Sequence, residues 1–355
     1  MRGSLWRPLL LAGAGVVLLG LFWFTSRYPQ LLDKAKHVGD ALPSMAFSSQ
    51  LVKVEAGSPV WWRIGAATIN WLDGMKIGMT FGVLFGGLLH TVLRYYPLKI
   101  GKNLYLNSLQ GALVGVPMGV CANCAVPAAC GVTRGNGRVE VALGFLFSSP
   151  NFNPVVFMMT VLALPVAMSV TKYVVLLVLI AWIVPTIIRW LERDQPLPVL
   201  TVVDENTACT LPAATGNDQE SFPSIVKDLG GSFLKNVWML VKPTLALMLL
   251  ASVVSSTMIV LVPWDSLLSK VTVGSAGLLS LLAVFMPVPI ALDVMFAAQL
   301  QQQGVPAGYV MMFAMTLGTY SILPSVYLWR EVSKTLAVLL FLFFWMLGWA
   351  FALLF

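Results

Sequence analysis

Long apolar runs, interrupted by short polar or proline-bearing stretches, recur along the chain. They cover roughly 8–28, 64–93, 104–134, 139–163, 166–190, 232–262, 274–303, 305–328 and 335–355. Each is near or above the ~20 residues that a helix needs to cross ~30 Å of hydrocarbon. The run 8–28 follows a basic start but lacks a clear small-residue cleavage site, so it reads as an uncleaved first span. Residues 29–63 are more polar, with helix-like apolar spacing and mixed charge, and read as an interfacial helix. The stretch 191–231 is the longest hydrophilic one, with acidic residues among Pro, Thr and Gly. It reads as a flexible loop joining two halves. The expected organisation is 1–63 (first span and polar segment), 64–190 (first repeat), 191–231 (linker) and 232–355 (second repeat).

Composition agrees with a membrane protein. Of 355 residues, 58% are hydrophobic and 10% charged, against roughly 25% charged in a soluble domain. The net charge of +7 is spread over loops and forms no dense block, which excludes a nucleic-acid partner. Four cysteines give no disulfide framework, and no phosphate-binding G-x-x-x-x-G-K-[ST] loop is present. No cofactor or catalytic residue is expected.

The two halves share weak symmetry. A shift of 166 residues pairs Asn70 with Asn236, Lys76 with Lys242, Thr91 with Thr257 and Pro97 with Pro263. The same shift sets Cys121 opposite Pro287 and Asn123 opposite Pro289, and a shift of 170 pairs Pro154 with Pro324. Internal repeats of this kind mark transporters. Charge decides their sense. If 104–134 and 274–303 are re-entrant hairpins, breaking at Cys121–Pro127 and Met286–Pro289, most arginines and lysines fall on the side of Arg2 and Arg7. Only Lys172, Lys270 and the first polar loop then face outward, as the positive-inside rule favours. The expected fold is therefore an all-α integral membrane protein with inverted repeats and broken helices, about seven full spans plus two hairpins; nine plain spans is the alternative. The expected location is the cytoplasmic membrane, with Cys209 on the inner side.

The densest cluster of helix breakers is Gly115–Gly135, GVPMGVCANCAVPAACGVTRG, which holds Cys121, Cys124 and Cys130. Such a segment is tolerated at membrane depth only where it is buried in protein or lines a cavity. A second break follows at Ser149-Pro150-Asn151-Phe152-Asn153-Pro154. The series from the cysteine pair through G-V-T-R-G-N-G to A-L-G-F-L-F-S-S-P-N-F-N-P resembles the predicted-permease family that includes organoarsenical-efflux permeases. The resemblance runs from about 68 to 350 and is most specific over 115–160. Many members read C-x-C-G where this chain reads C-x-x-C. The resemblance implies a permease, with efflux of trivalent organoarsenicals as the expected activity.

Cys121 and Cys124 are the sharpest candidate ligands, since two thiolates suit As(III), Hg(II), Cu(I) or Zn(II). Cys130 could complete a three-sulfur site. The alternatives are small buried packing residues or a dithiol/disulfide switch. Asn123, Pro127, Ser149, Asn151 and Asn153 would shape the pocket, and Met286 could add a thioether. Asp73, Lys76, Lys242 and Asp293 are intramembrane charges that would carry proton coupling or form static pairs. The expected partners are a small-molecule or metalloid substrate and the lipid bilayer. A homo-oligomer or an accessory protein stays open, as do a mercurial, sulfur or selenium solute and a membrane thiol-redox protein.

Overall fold

The computed structural model describes residues 6–36, 51–53, 57–96, 101–134, 138–193 and 222–355. Cys209 and most of the expected linker lie outside these residues. The described residues are mostly helical, with no strand among them. Helix α1 (Trp6–Phe22) passes through a π turn (Trp23–Arg27) into α2 (Tyr28–Lys36). Then follow α3 (Val60–Tyr95), α4 (Leu104–Gly115), α5 (Ala122–Arg134), α6 (Val139–Asn151), α7 (Pro154–Ala163) and α8 (Val166–Val178). A second π turn (Leu179–Ile183) leads into α9 (Val184–Leu191). The second half holds α10 (Phe222–Leu261), α11 (Trp264–Leu268), α12 (Val273–Phe285), α13 (Leu292–Gln302), α14 (Ala307–Thr316), α15 (Ile322–Glu331) and α16 (Lys334–Leu354).

Among the described residues, five continuous helical stretches are long and apolar enough to cross a bilayer: Trp6–Gln30, Val60–Tyr95, Val166–Leu191, Phe222–Leu261 and Lys334–Leu354. The bent pair α6–α7, with a 50° angle at its break, makes a sixth candidate. This is an all-α, multi-pass membrane protein. The order of a long helix, two broken helices and a closing helix occurs twice, as α3, α4/α5, α6/α7, α8–α9 and as α10, α12/α13, α14/α15, α16.

Two boundaries differ from the sequence reading. Helix α10 starts at Phe222, ten residues ahead of the expected span, because Ile225 and Leu229 pack with Leu11 and Leu88 in a small core of their own. Its Asp228 also accepts from Tyr95 Oη (2.9 Å) and pairs with Arg7 (3.2 Å). The segment 305–328, expected as a plain span, is broken between α14 and α15.

Three of the four breaks have a local chemical cause. Pro154 at the first turn of α7 disfavours helical backbone at Asn153, whose side chain caps α7 by accepting from Val155 N at 3.0 Å. Pro287 and Pro289 stop α12, and the chain re-enters α13 through Ala291 in the left-handed region at φ 64°. The first break, Val116–Cys121, turns at Gly119 with φ 58°. A Cβ there would come within 2.8 Å of Asn153 Nδ2, so glycine is required both by conformation and by space.

Glycine also lets α5 press against α3. A Cβ on Gly82 would lie 2.1 Å from the Cys124 carbonyl oxygen, and one on Gly86 2.3 Å from that of Pro127. Close backbone approach through small residues is how membrane helices pack without a hydrophobic driving force. It seats the cysteine-bearing helix against the middle of α3.

Candidate functional site

Among the described residues, four helix breaks meet around Asn123. Its Nδ2 donates to the Val288 carbonyl (3.2 Å), in the α12/α13 break, and its Oδ1 accepts from Ser321 Oγ, in the α14/α15 break. Asn151 Oδ1 accepts from Thr319 Oγ1 at 3.4 Å. The Val120 N–H donates to Ser149 Oγ at 3.3 Å, tying the first break to α6. Interrupted helices leave backbone groups unpaired, which must be satisfied inside a membrane. The Pro287 carbonyl accordingly accepts from Trp71 Nε1 (2.9 Å) and Ser255 Oγ (3.3 Å). Side chains from one half thus complete the backbone of the other.

Cys121 and Cys124 stand at the edge of this junction. Both are buried, and both are free thiols. The Cys124 N–H donates to Cys121 Sγ at 3.2 Å, and Cys121 Sγ lies 3.8 Å from Met75 Sδ. The start of α5 therefore turns both thiols toward α3. They line a cavity of about 310 Å³, walled by Asp73, Met75, Lys76 and Gly78 of α3 and by Pro289 and Ile290 of the second break. The remaining wall is Arg27 at the end of the π turn, with Gln30 and Asp33 of α2. Gly78 lies close to the midpoint of the 36-residue α3, so the thiols sit against the middle of that helix. The cavity volume falls at the lower end of the ~300–1,000 Å³ of small-molecule sites.

The other candidates divide into those behind the cavity and those away from it. Ser149, Asn151 and Asn153 are fully buried and knit the breaks together without lining the cavity. Pro127 lies within α5, one turn beyond the pair, where its ring withholds the N–H that Asn123 O would accept. Cys130 is half-buried farther along α5, its carbonyl accepting from Thr133 Oγ1 at 3.1 Å. No group of three or more His, Cys, Asp or Glu suited to a metal ion occurs among the described residues. Cys130 does not complete a three-sulfur site. Met286 is buried at the end of α12, and the thioether beside the thiols belongs to Met75.

The charged candidates also separate. Asp73 and Lys76 form the expected ion pair three residues apart, on the cavity wall. Lys242 stands on the exposed face of α10, its Nζ 5.9 Å from the Trp238 ring, and is not part of the site. Asp293 is buried and bonded to Lys172 Nζ at 2.7 Å. Lys172, counted in the sequence on the outer side of the membrane, is fully buried, held by a partner 121 residues away. Sequence reading also passed over Arg27 and Met75, which line the cavity only because of the π turn and the docking of α3.

A family model described as a predicted permease, ArsP_1, matches residues 75–355. The chain belongs to this family. The matched region carries the cysteine pair, all four breaks and the Lys172–Asp293 pair, and it leaves out α1, α2 and the first part of α3. No curated protein and no solved structure matches the chain. Membership makes this a membrane permease.

Proposed function

We propose that this permease exports small thiol-reactive soft solutes across the cytoplasmic membrane, with trivalent organoarsenicals as the substrate class. The observation that carries the reading is the position of Cys121 and Cys124: two free thiols on the wall of a cavity against the middle of α3, where helices from both halves break. Sites between discontinuous helices near the midplane are where many secondary transporters hold their substrates.

The chemistry balances without redox. An arsenical R–As(OH)₂ exchanges two hydroxyls for the two cysteine sulfurs, forming two As–S bonds and releasing two waters, each thiol proton leaving with a hydroxyl. Release is the reverse, so the thiols must stay reachable by water from the exit side. Rocking of one half against the other would open the cavity alternately, with Asn123 as the joint between the breaks. Proton antiport is the proposed energy source. Asp293 is the group proposed to take up the proton, because neutralising it would free Lys172 and loosen a contact between the halves.

The test is resistance of cells lacking arsenic efflux to methyl- and phenylarsenous acid. Expression of the chain should raise the tolerated concentration, and Cys121→Ser/Cys124→Ser should abolish the gain. Full resistance in the double variant would overturn the thiol-ligand mechanism.

A further inference from the structure

We propose that Arg27 is an anion-binding residue of the cavity, and that the preferred solute carries a negatively charged group beside its thiol-reactive centre. The inference rests on the thiol-ligand reading of Cys121 and Cys124 and adds a second requirement to the solute.

Arg27 is only 5% exposed, yet it lines the cavity. Its Nε has no hydrogen-bond partner, and among the described residues no carboxylate forms an ion pair with its guanidinium. Cys121, Cys124, Asp33 and Asp73 share the cavity lining with it. A Cβ on Gly78 would lie 2.9 Å from Cys124 Sγ and 3.1 Å from Arg27 Nη2, so cation and sulfur are neighbours across that glycine. Lys76, the other cation on the wall among the described residues, already holds Asp73. A desolvated guanidinium without a counter-charge is strongly unfavourable, and such a residue in a membrane protein marks a ligand path.

The placement is built, not incidental. Arg27 ends the π turn, a feature that commonly serves a functional site. Trp23 of the same turn donates from Nε1 to the Pro117 carbonyl and so fixes the turn on the break that leads to the cysteines. The Arg27 Cζ stacks 4.8 Å from the Phe22 ring centre, which occupies a face of the guanidinium and leaves its edge N–H groups to bind an oxyanion or carboxylate. Once both sulfurs bind a soft centre, Arg27 still stands beside it without a paired carboxylate. The solute's own anion then supplies the missing partner. Because the family match begins at residue 75, this element of specificity comes from the N-terminal helix of this particular chain.

The test compares binding of phenylarsenous acid, neutral at pH 7, with 4-carboxyphenylarsenous acid on the purified full-length protein, read by tryptophan fluorescence. The wild type should bind the carboxylate about tenfold more tightly or better, as a charge-assisted hydrogen bond provides. Arg27→Gln should weaken only the carboxylate probe, bringing the two together, and Arg27→Lys should keep part of the preference. Equal binding of both probes by the wild type, which needs no variant to fold, overturns the inference. So does an equal loss of both probes in Arg27→Gln, which would make Arg27 a structural support of the thiols. If Cys121→Ser/Cys124→Ser binds both probes as tightly as the wild type, the thiol reading falls, while a carboxylate preference that still depends on Arg27 would leave the anion site standing.

Discussion

Lys172 Nζ lies 2.7 Å from Asp293 Oδ2, the two side chains being 0% and 5% exposed, and the pair joins α8 of the first half to α13 of the second. Room for the carboxylate comes from the α14/α15 break, since a Cβ on Gly318 would sit 2.6 Å from Asp293 Cγ. Removing one partner of a buried pair strands the other charge, at a cost of about 3–5 kcal/mol. Lys172→Met and Asp293→Asn should therefore each lower the unfolding midpoint in detergent, with the lysine-free variant the worse because it leaves a bare carboxylate. The double variant Lys172→Met/Asp293→Leu should regain most of the loss yet fail to respond to an imposed pH gradient in proteoliposomes. A double variant still driven by the gradient would remove Asp293 from the coupling step.

Gly82 offers a test of how the cysteines are held. Alanine there would set a Cβ 2.1 Å from the Cys124 carbonyl oxygen, an atom of packed backbone that cannot step aside alone. Gly82→Ala should shift α5 off α3, cost about 1–3 kcal/mol, and sharply reduce transport. Gly65, on the same helix, has nothing within 4 Å of its Cβ position, so Gly65→Ala should be neutral or slightly stabilising. Transport and detergent unfolding midpoints of the two variants, measured side by side, check the contrast; equal behaviour would refute it.

Two breaks that proline dictates were legible in the sequence, whereas the one expected at Cys121–Pro127 falls at Val116–Cys121, with Pro127 inside α5. Pro154, Pro287 and Pro289 cannot continue a helix, and the repeat set Asn123 opposite Pro289 within one residue of the Val288 carbonyl it meets. The α14/α15 break was not legible, because it holds Gly318 but no proline, Pro324 lying in the first turn of α15. Long-range partners were hidden for a different reason. Lys172 carries no mark of Asp293 in its neighbours, so it read only as a cation on the outer side of the membrane. The repeat also suggested that Lys76 and Lys242 would share a role, but symmetry of backbone does not impose symmetry of chemistry: one lies on the cavity wall and the other over Trp238 on the outer face. Arg27 ends an apolar run, where a basic residue reads as an interfacial anchor. Only the π turn, which has no clear sequence signature, turns it inward.

Asn123 satisfies one acceptor and one donor from two different breaks. Asn123→Ala would leave the Val288 carbonyl and the Ser321 hydroxyl buried and unpaired, at about 1–3 kcal/mol each. Ser321→Ala removes its own hydroxyl and keeps the bond to Val288, so it should cost less. The order Asn123→Ala below Ser321→Ala below wild type in unfolding midpoint checks the bridge; the reverse order would show that Val288 finds another donor.

Cys130 separates a sulfur that binds from one that packs. It follows Cys124 by six residues on the same helix, which moves it about 9 Å along the axis and about 240° around it. It therefore cannot join Cys124 on one small ligand while α5 remains helical. A bound trivalent arsenical should protect Cys121 and Cys124 from alkylation, with Cys130 unprotected by the same ligand, as read by mass spectrometry of the digested protein. Cys130→Ser should keep transport within about twofold of wild type, since the exchange is nearly isosteric at a half-buried site. Cys121→Ser and Cys124→Ser should each lose nearly all of it, because one sulfur cannot close the two-bond chelate. A Cys130→Ser variant as defective as either would mean that the third thiol reaches the solute in another conformation of the permease.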